Sequence, residues 1–233
     1  MIAENIKRLW ERINAQCAAS GINSEEIKLI AVSKYFGLDS ITEAKNYGIT
    51  SFGENKAQEL RDKFELLGNE VSWHFIGTLQ RNKAKYVVKA ASLIHSVDSI
   101  SLADEINKHA AKNNKIQDIL LEIKTSFEET KAGLNQEEQI IKLVEHCKTL
   151  PNINLTGLMT MAPYTDDKQL IRKSFSELFK LKDKINQQGF TLTELSMGMT
   201  SDFEIAIDEG ATMLRIGSAI FGQRNYTKDW RAI

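Results

Sequence analysis

The chain alternates between short apolar segments and longer segments in which apolar residues recur every three or four positions. The short segments have six to eight residues, a length and composition typical of strands that are buried on both faces. There are eight of them, at positions 27–34, 49–55, 71–77, 92–98, 118–124, 155–161, 193–198 and 213–218.

The longer segments have the period of amphipathic helices. In "LDSITEAKNYG", Leu38, Ile41 and Ala44 share one stripe, and Gly48 is a natural stop. Ser99 is a candidate N-cap for a helix over 99–114. Further helices are predicted over 4–21, 135–151 and 166–189.

Eight strands alternating with helices predict an α/β protein. This order is the sequence form of a (β/α)8 TIM barrel, for which about 250 residues is typical. A doubly wound open sheet uses the same units and is the alternative, although no GxGxxG follows any predicted strand. Because no Gly/Ser-rich linker interrupts the pattern, we predict one barrel domain over residues 1–233.

Composition narrows the class of protein. The 30 Lys and Arg residues nearly balance the 31 Asp and Glu residues, which gives no electrostatic reason to expect nucleic acid or an anionic membrane as partner. The first residues are charged, unlike a signal peptide, and the apolar segments are shorter than a membrane span. Cys17 and Cys147 have no metal-binding or CxxC spacing. We therefore expect a soluble cytoplasmic protein without a metal site.

A lysine closes the first predicted strand. Lys34 would share a face with Ile30 and Val32, and in a barrel that face points inward. Burial over an apolar floor favours the neutral amine, which is the form that attacks carbonyl groups. The alternative is a lysine that extends from the strand end into solvent.

Two segments near the end of the chain have the composition of a phosphate site. "LSMGMTSDFEIAI" contains small and hydroxylic residues before a short helix that begins at Asp202, and "RIGS" follows one strand later. In barrels, phosphate groups are commonly bound between the loops after strands seven and eight. A pair of capped turns is the alternative. An inward lysine together with a phosphate site indicates a phosphorylated carbonyl compound.

Six ordered motifs carry a resemblance to a known family. They are "AVSK", "FGENKAQE", "WHFIGTLQRNK", "GLMTMAP", "LSMGMTSDFEIAI" and "RIGSAIFG". In these motifs the sequence resembles the pyridoxal phosphate homeostasis proteins, which bind pyridoxal 5′-phosphate (PLP). The resemblance implies a barrel of the alanine racemase N-terminal domain type (PLP fold type III) without the C-terminal β domain.

The resemblance also implies a set of cofactor-binding residues. Lys34 would form a Schiff base with PLP, and Arg215 would face the pyridine nitrogen, where a cation disfavours protonation and weakens the ring as an electron sink. The phosphate would be held by two loops, through Ser196, Gly198, Thr200, Gly217 and Ser218. Asn55 and His74 match positions near the cofactor, without individual roles.

Two classes of function remain open. The first is a monomeric carrier that buffers PLP and delivers it to apo PLP-dependent enzymes, with weak racemase-type activity left open. The second is a dedicated enzyme: a PLP-dependent amino-acid racemase, or a Schiff-base aldolase that works without PLP. Racemisation needs a base on each face of the substrate, and Lys34 supplies one. The 15 residues after position 218 are too few for the β-rich domain that helps to close a racemase site. The carrier is therefore the favoured expectation.

Overall fold

The strands of the protein close into one barrel. The computed structural model describes residues 1–125 and 133–223. Its strands are β1 (Lys28–Val32), β2 (Ser51–Glu54), β3 (Ser72–Phe75), β4 (Leu93–Val97), β5 (Gln117–Glu122), β6 (Ile153–Met159), β7 (Glu194–Ser196) and β8 (Met213–Ile216). Neighbours in sequence pair in parallel, and β8 pairs with β1, where Arg215 is the register partner of Ile30. The barrel prediction is confirmed, and the open sheet is excluded.

Helices surround the barrel in the order that the sequence predicts. They are α1 (Ile2–Ala19), α2 (Leu38–Asn46), α3 (Ala57–Leu67), α4 (Ala84–Ala90), α5 (Ile100–Lys112), α6 (Glu137–Lys148), α7 (Lys168–Asn186), α8 (Phe203–Asp208) and α9 (Ser218–Phe221). Gly48 follows α2 with a φ of 88°, as expected for a stop. Ser99 is the N-cap residue of α5, but its side chain makes no capping hydrogen bond.

The first strand is shorter than predicted. β1 ends at Val32, and Lys34 lies two residues beyond it in a turn. The Phe36 N–H donates to the Ser33 carbonyl at 3.0 Å, and Tyr35 has a φ of 70°. Because a left-handed residue cannot continue a strand, the chain reverses here.

Apolar side chains form two layers, one inside the barrel and one between barrel and helices. The inner cluster consists of Ile30, Leu93, Leu120, Met159 and Met213. The residues on either side of Ile30, Leu29 and Ala31, belong instead to the larger outer cluster. Side chains alternate along a strand, so residues two positions from the inner cluster also face inward. This rule assigns His95, Glu122 and Arg215 to the barrel interior.

Two further features bear on function. Within residues 1–125 and 133–223, no helix is long and apolar enough to cross a membrane. The same ranges contain no group of three His, Cys, Asp or Glu residues arranged to hold a metal ion.

Cys17 and Cys147 are unpaired and buried, and burial raises the pKa of Cys147 to about 12. This thiol is therefore protonated at neutral pH and a poor nucleophile.

Candidate functional site

The turn that carries Lys34 lies at the carboxyl end of the barrel strands. Lys34 is half-buried, and the Ser33 N–H still bonds the Gly53 carbonyl of β2 at 3.1 Å. Phe36 stacks on Phe221 of α9, with ring centroids 4.8 Å apart. The turn is thus tied to β2 on one side and to the segment after β8 on the other.

The loops after β7 and β8 meet at this same end. The Ser218 hydroxyl donates to Thr200 Oγ1 at 3.2 Å, and the Ala219 N–H approaches the same oxygen at 3.4 Å. Gly198 has a φ of 91°, and a Cβ there would lie 2.7 Å from Ala206 Cβ, so only glycine fits this close approach. The two predicted phosphate-binding loops therefore form one continuous surface.

A buried guanidinium lies below that surface. Arg215 is 5% exposed; its Nη1 donates to Ser196 Oγ at 2.6 Å and its Nη2 to the Thr160 carbonyl at 2.9 Å. Burial lowers the pKa of Arg215 to about 10, while Asp202 and Glu122 act in the opposite direction. The group remains a cation at neutral pH, and two hydrogen bonds fix its plane.

Ser196, the last residue of β7, lies between Arg215 and His95. Its side chain is fully buried inside the barrel, where the hydroxyl accepts from Arg215 and pairs with His95 Nδ1 at 2.9 Å. The phosphate contact of Ser196 stays a prediction. Its visible role is to connect Arg215 to the interior of the barrel.

His74 is also engaged inside the barrel. Its Nδ1 lies 2.9 Å from His95 Nε2, and its Nε2 lies 3.4 Å from the Ser72 hydroxyl. Two side chains, those of His95 and Ser196, connect it to Arg215. The place of His74 beside a cofactor stays a prediction. Burial, then the charge of Lys28, lowers the pKa of His74 to about 4. Burial, then the charges of His74 and Arg215, lowers the pKa of His95 well below its usual value. Both rings are neutral at neutral pH.

Asn55 follows β2 and adjoins the barrel mouth. Its Oδ1 is buried and has no hydrogen-bond partner among the described residues. A Cβ at Gly77 would lie 2.2 Å from the Asn55 carbonyl oxygen, so the backbone at Gly77 packs directly on Asn55. A buried, unpaired acceptor is costly, which makes Asn55 a candidate ligand-binding residue.

A buried ionic cluster behind the Lys34 turn was not predicted from the sequence. Lys63 of α3 bonds both Glu54, at 2.7 Å, and Glu59, at 2.8 Å. Burial raises the pKa of Glu54 to about 7, against the lowering effect of Lys63. The available signal was the four-residue spacing of Glu59 and Lys63, which is typical of a helix-surface pair and does not indicate burial.

Comparison with known proteins agrees with this geometry. The family described as "Alanine racemase, N-terminal domain" matches residues 4–225. An alanine racemase from Clostridium difficile 630 is 18% identical with a TM-score of 0.76; the match covers 97% of this chain and 58% of that one, and it shows the fold alone. The barrel and its carboxyl-end loops thus define a protein of the alanine racemase N-terminal domain class.

Closer relatives define the family within that class. The pyridoxal phosphate homeostasis protein of Aquifex aeolicus is 43% identical over 225 residues, which are 96% of this chain and 98% of the relative. PipY of Synechococcus elongatus, solved with PLP bound, is 32% identical with a TM-score of 0.85, covering 95% of this chain and 100% of that one. The chain belongs to the family of pyridoxal phosphate homeostasis proteins.

Proposed function

We propose that this protein binds PLP at the mouth of its barrel and serves in PLP homeostasis, as a carrier without dedicated catalysis. The observation that carries the proposal is the convergence of the Lys34 turn, the Thr200–Ser218 pair and buried Arg215 at one end of the barrel. The names of the relatives and the PLP bound to PipY support it.

The chemistry of these residues fits three of the polar groups of PLP: the aldehyde, the ring nitrogen and the phosphate. The Lys34 amine suits the aldehyde, and the Arg215 cation suits the unprotonated ring nitrogen. A phosphate dianion suits the hydroxyls of Thr200 and Ser218 together with the backbone at Gly198 and Gly217. The buried, unpaired Oδ1 of Asn55 supports including this amide among the residues that would contact PLP.

The residues of this chain favour holding the cofactor over catalysis with it. PLP supplies an aldehyde whose carbon bonds an amine nitrogen, with the aldehyde oxygen leaving as water, and a ring that can withdraw electrons. A cation at the ring nitrogen keeps that nitrogen unprotonated and weakens electron withdrawal. Arg215 is held for this role by Ser196 and Thr160. The proposal includes a single monomeric barrel domain over residues 1–233 and apo PLP-dependent enzymes as recipients.

A transfer assay tests the carrier function. We expect the PLP-loaded protein to restore activity to an apo PLP-dependent enzyme. We expect no steady solvent-deuterium exchange at the α-carbon of L- or D-amino acids with saturating PLP. Exchange near the enzyme median of about 10 per second would establish a racemase-type enzyme instead.

The phosphate loops give a separate prediction. Replacing Thr200 with valine keeps the shape of the side chain but removes the hydroxyl that accepts from Ser218. We expect PLP binding to weaken by about 1–3 kcal/mol, because a charged ligand oxygen loses a donor. The measurement is PLP titration followed by absorbance. The control is Thr193→Val, an exposed threonine just before β7, at the opposite end of the barrel.

Pyridoxal provides the matching ligand control, since it lacks the phosphate. We expect it to bind the unmodified protein much more weakly than PLP and to be insensitive to Thr200→Val. Equal affinity for pyridoxal and PLP would show that the two loops are only turns.

A further inference from the structure

The buried ionic cluster of Glu54, Glu59 and Lys63 lies between the sheet and α3, next to the Lys34 turn. Lys63 Nζ donates to Glu54 Oε1 at 2.7 Å, to Glu59 Oε1 at 2.8 Å and to the Ser33 carbonyl at 2.9 Å. Lys63 and Glu54 have no exposed surface, and Glu59 is 4% exposed. Removing such charges from water costs as much as their attraction returns, so a buried ion pair is weak evidence for a stabilising role. The position of the cluster next to Lys34 indicates a role other than stabilising the fold.

The cluster is bonded to the residues on both sides of Lys34. On one side, the Ser33 hydroxyl donates to Glu54 Oε1 at 2.7 Å, and the Ser33 carbonyl accepts from Lys63. On the other side, the Tyr35 N–H donates to Glu59 Oε1 at 2.8 Å. The backbone is therefore fixed immediately before and immediately after the lysine.

One of these contacts compensates for an unfavourable backbone conformation. Tyr35 has a φ of 70°, and this left-handed conformation is unfavourable for a residue other than glycine. The charge-assisted hydrogen bond from its N–H to Glu59 stabilises that conformation. Without it, the turn would have other conformations of similar energy, and the direction of the preceding side chain would vary.

The alternation of side chains along β1 and β2 shows on which side of the barrel the turn is anchored. Glu54 lies two residues after Phe52, which packs in the outer apolar cluster, so Glu54 faces α3. The Ser33 hydroxyl bonds Glu54 on this outer side, while Ile30 packs in the inner cluster. Because Lys34 follows directly, the outward anchoring of Ser33 fixes the point from which the backbone of Lys34 leaves the strand.

We propose that the cluster of Glu54, Glu59 and Lys63 is a positioning device that holds the turn at residues 33–36 so that the Lys34 amine is presented to the aldehyde of PLP. The inference rests on the proposed function, because its object is the amine that binds the cofactor. The cluster also keeps Lys63 from competing, since the three N–H donors of its ammonium face three oxygen acceptors behind the turn.

Two ligands separate positioning of the amine from general integrity of the site. PLP can bond to Lys34, whereas pyridoxamine 5′-phosphate has the same ring and phosphate but no aldehyde. Glu59→Ala removes the acceptor of the Tyr35 N–H, and Glu59→Gln retains an oxygen acceptor at that position. Both ligands are titrated against each variant, and the rate of borohydride-trapped attachment to Lys34 is measured by peptide mass analysis.

We expect Glu59→Ala to weaken PLP binding by about 3- to 10-fold and to slow attachment, because the Tyr35 N–H loses its acceptor and Lys63 loses one of its three. Binding of pyridoxamine 5′-phosphate is expected to be unchanged, and Glu59→Gln is expected to restore the wild-type value for PLP. Ser33→Ala, which removes only the contact to Glu54, is expected to show the same selectivity for the aldehyde ligand.

Two outcomes would overturn the proposal. Equal losses for both ligands would mean that the cluster maintains the whole mouth, and no loss in either Glu59→Ala or Ser33→Ala would mean that the turn is fixed without it. Lys34→Ala in the same assay isolates the proposed function. If that variant binds PLP as well as the wild type, the role of Lys34 itself is wrong, whatever the Glu59 variants show.

Discussion

Replacing Lys34 with alanine is expected to abolish the visible absorbance of the PLP-loaded protein after desalting. In the proposed function the Lys34 amine bonds the aldehyde, and we expect the cofactor to wash out when only phosphate and ring contacts remain. The measurement is the absorbance spectrum before and after desalting, with borohydride reduction and peptide mapping to locate the modified residue. This is the largest change that we expect from a single substitution at the site.

Lys56→Ala is the matched control for this experiment. Lys56 lies just after β2, and its ammonium is 4.7 Å from the ring centroid of Tyr35, so it is a second lysine beside the same turn. It is exposed, whereas Lys34 is half-buried. Loading that survives in Lys34→Ala and disappears in Lys56→Ala would reverse the assignment.

The architecture was predictable because its signals are local. Each strand is a short apolar segment, each helix has its own period, and their alternation admits few topologies. The end of β1 was not predictable in the same way. The left-handed turn at Tyr35 is held by Glu59, which lies 24 residues further along the chain. A contact of that kind leaves no trace in the pattern around Lys34.

In the candidate site, too, local features were predictable from the sequence and long-range hydrogen-bond partners were not. Thr200 and Ser218 belong to loops whose place after the last two strands follows from the barrel itself, and the structure brings them together. The hydrogen bond between the Ser196 hydroxyl and His95, 101 residues away, could not be predicted from the sequence. Because side chains alternate along β4, His95 faces inward like Leu93, but the sequence pattern does not identify the residue that hydrogen-bonds His95.

The hydrogen-bonded histidines make the stability of the fold depend on pH. The pKa of His74 is about 4 in the folded protein, against about 6.5 for an exposed histidine. Between these values the unfolded chain binds more protons, so the free energy of unfolding falls as the pH drops. The neutral His74 lowers the free energy of unfolding by nothing above about pH 6.5 and by about 3 kcal/mol at pH 4. His95 acts in the same direction.

Buried carboxyl groups oppose this effect, so a variant is needed to isolate it. The pKa of Glu122 is raised to about 7 by burial, then by Asp98, against Arg215, and that of Glu54 is raised to a similar value. Their protonated forms suit the folded interior, so their contribution is complete below about pH 4.5 and is lost as the pH rises through about 7. The total stability curve is the sum of these opposing trends.

We therefore expect the difference in unfolding free energy between wild type and His74→Gln to shrink as the pH is lowered. Glutamine can replace the hydrogen bond to His95 but has no proton to gain, so the variant lacks the acid-dependent loss. Urea unfolding at intervals from about pH 7 to pH 4 should show the gap narrowing by about 3 kcal/mol. Ser72→Ala removes the hydroxyl beside His74 without removing a titratable group, and its difference from wild type should stay constant. Parallel curves for wild type and His74→Gln would show that His74 is not held neutral by burial in the barrel.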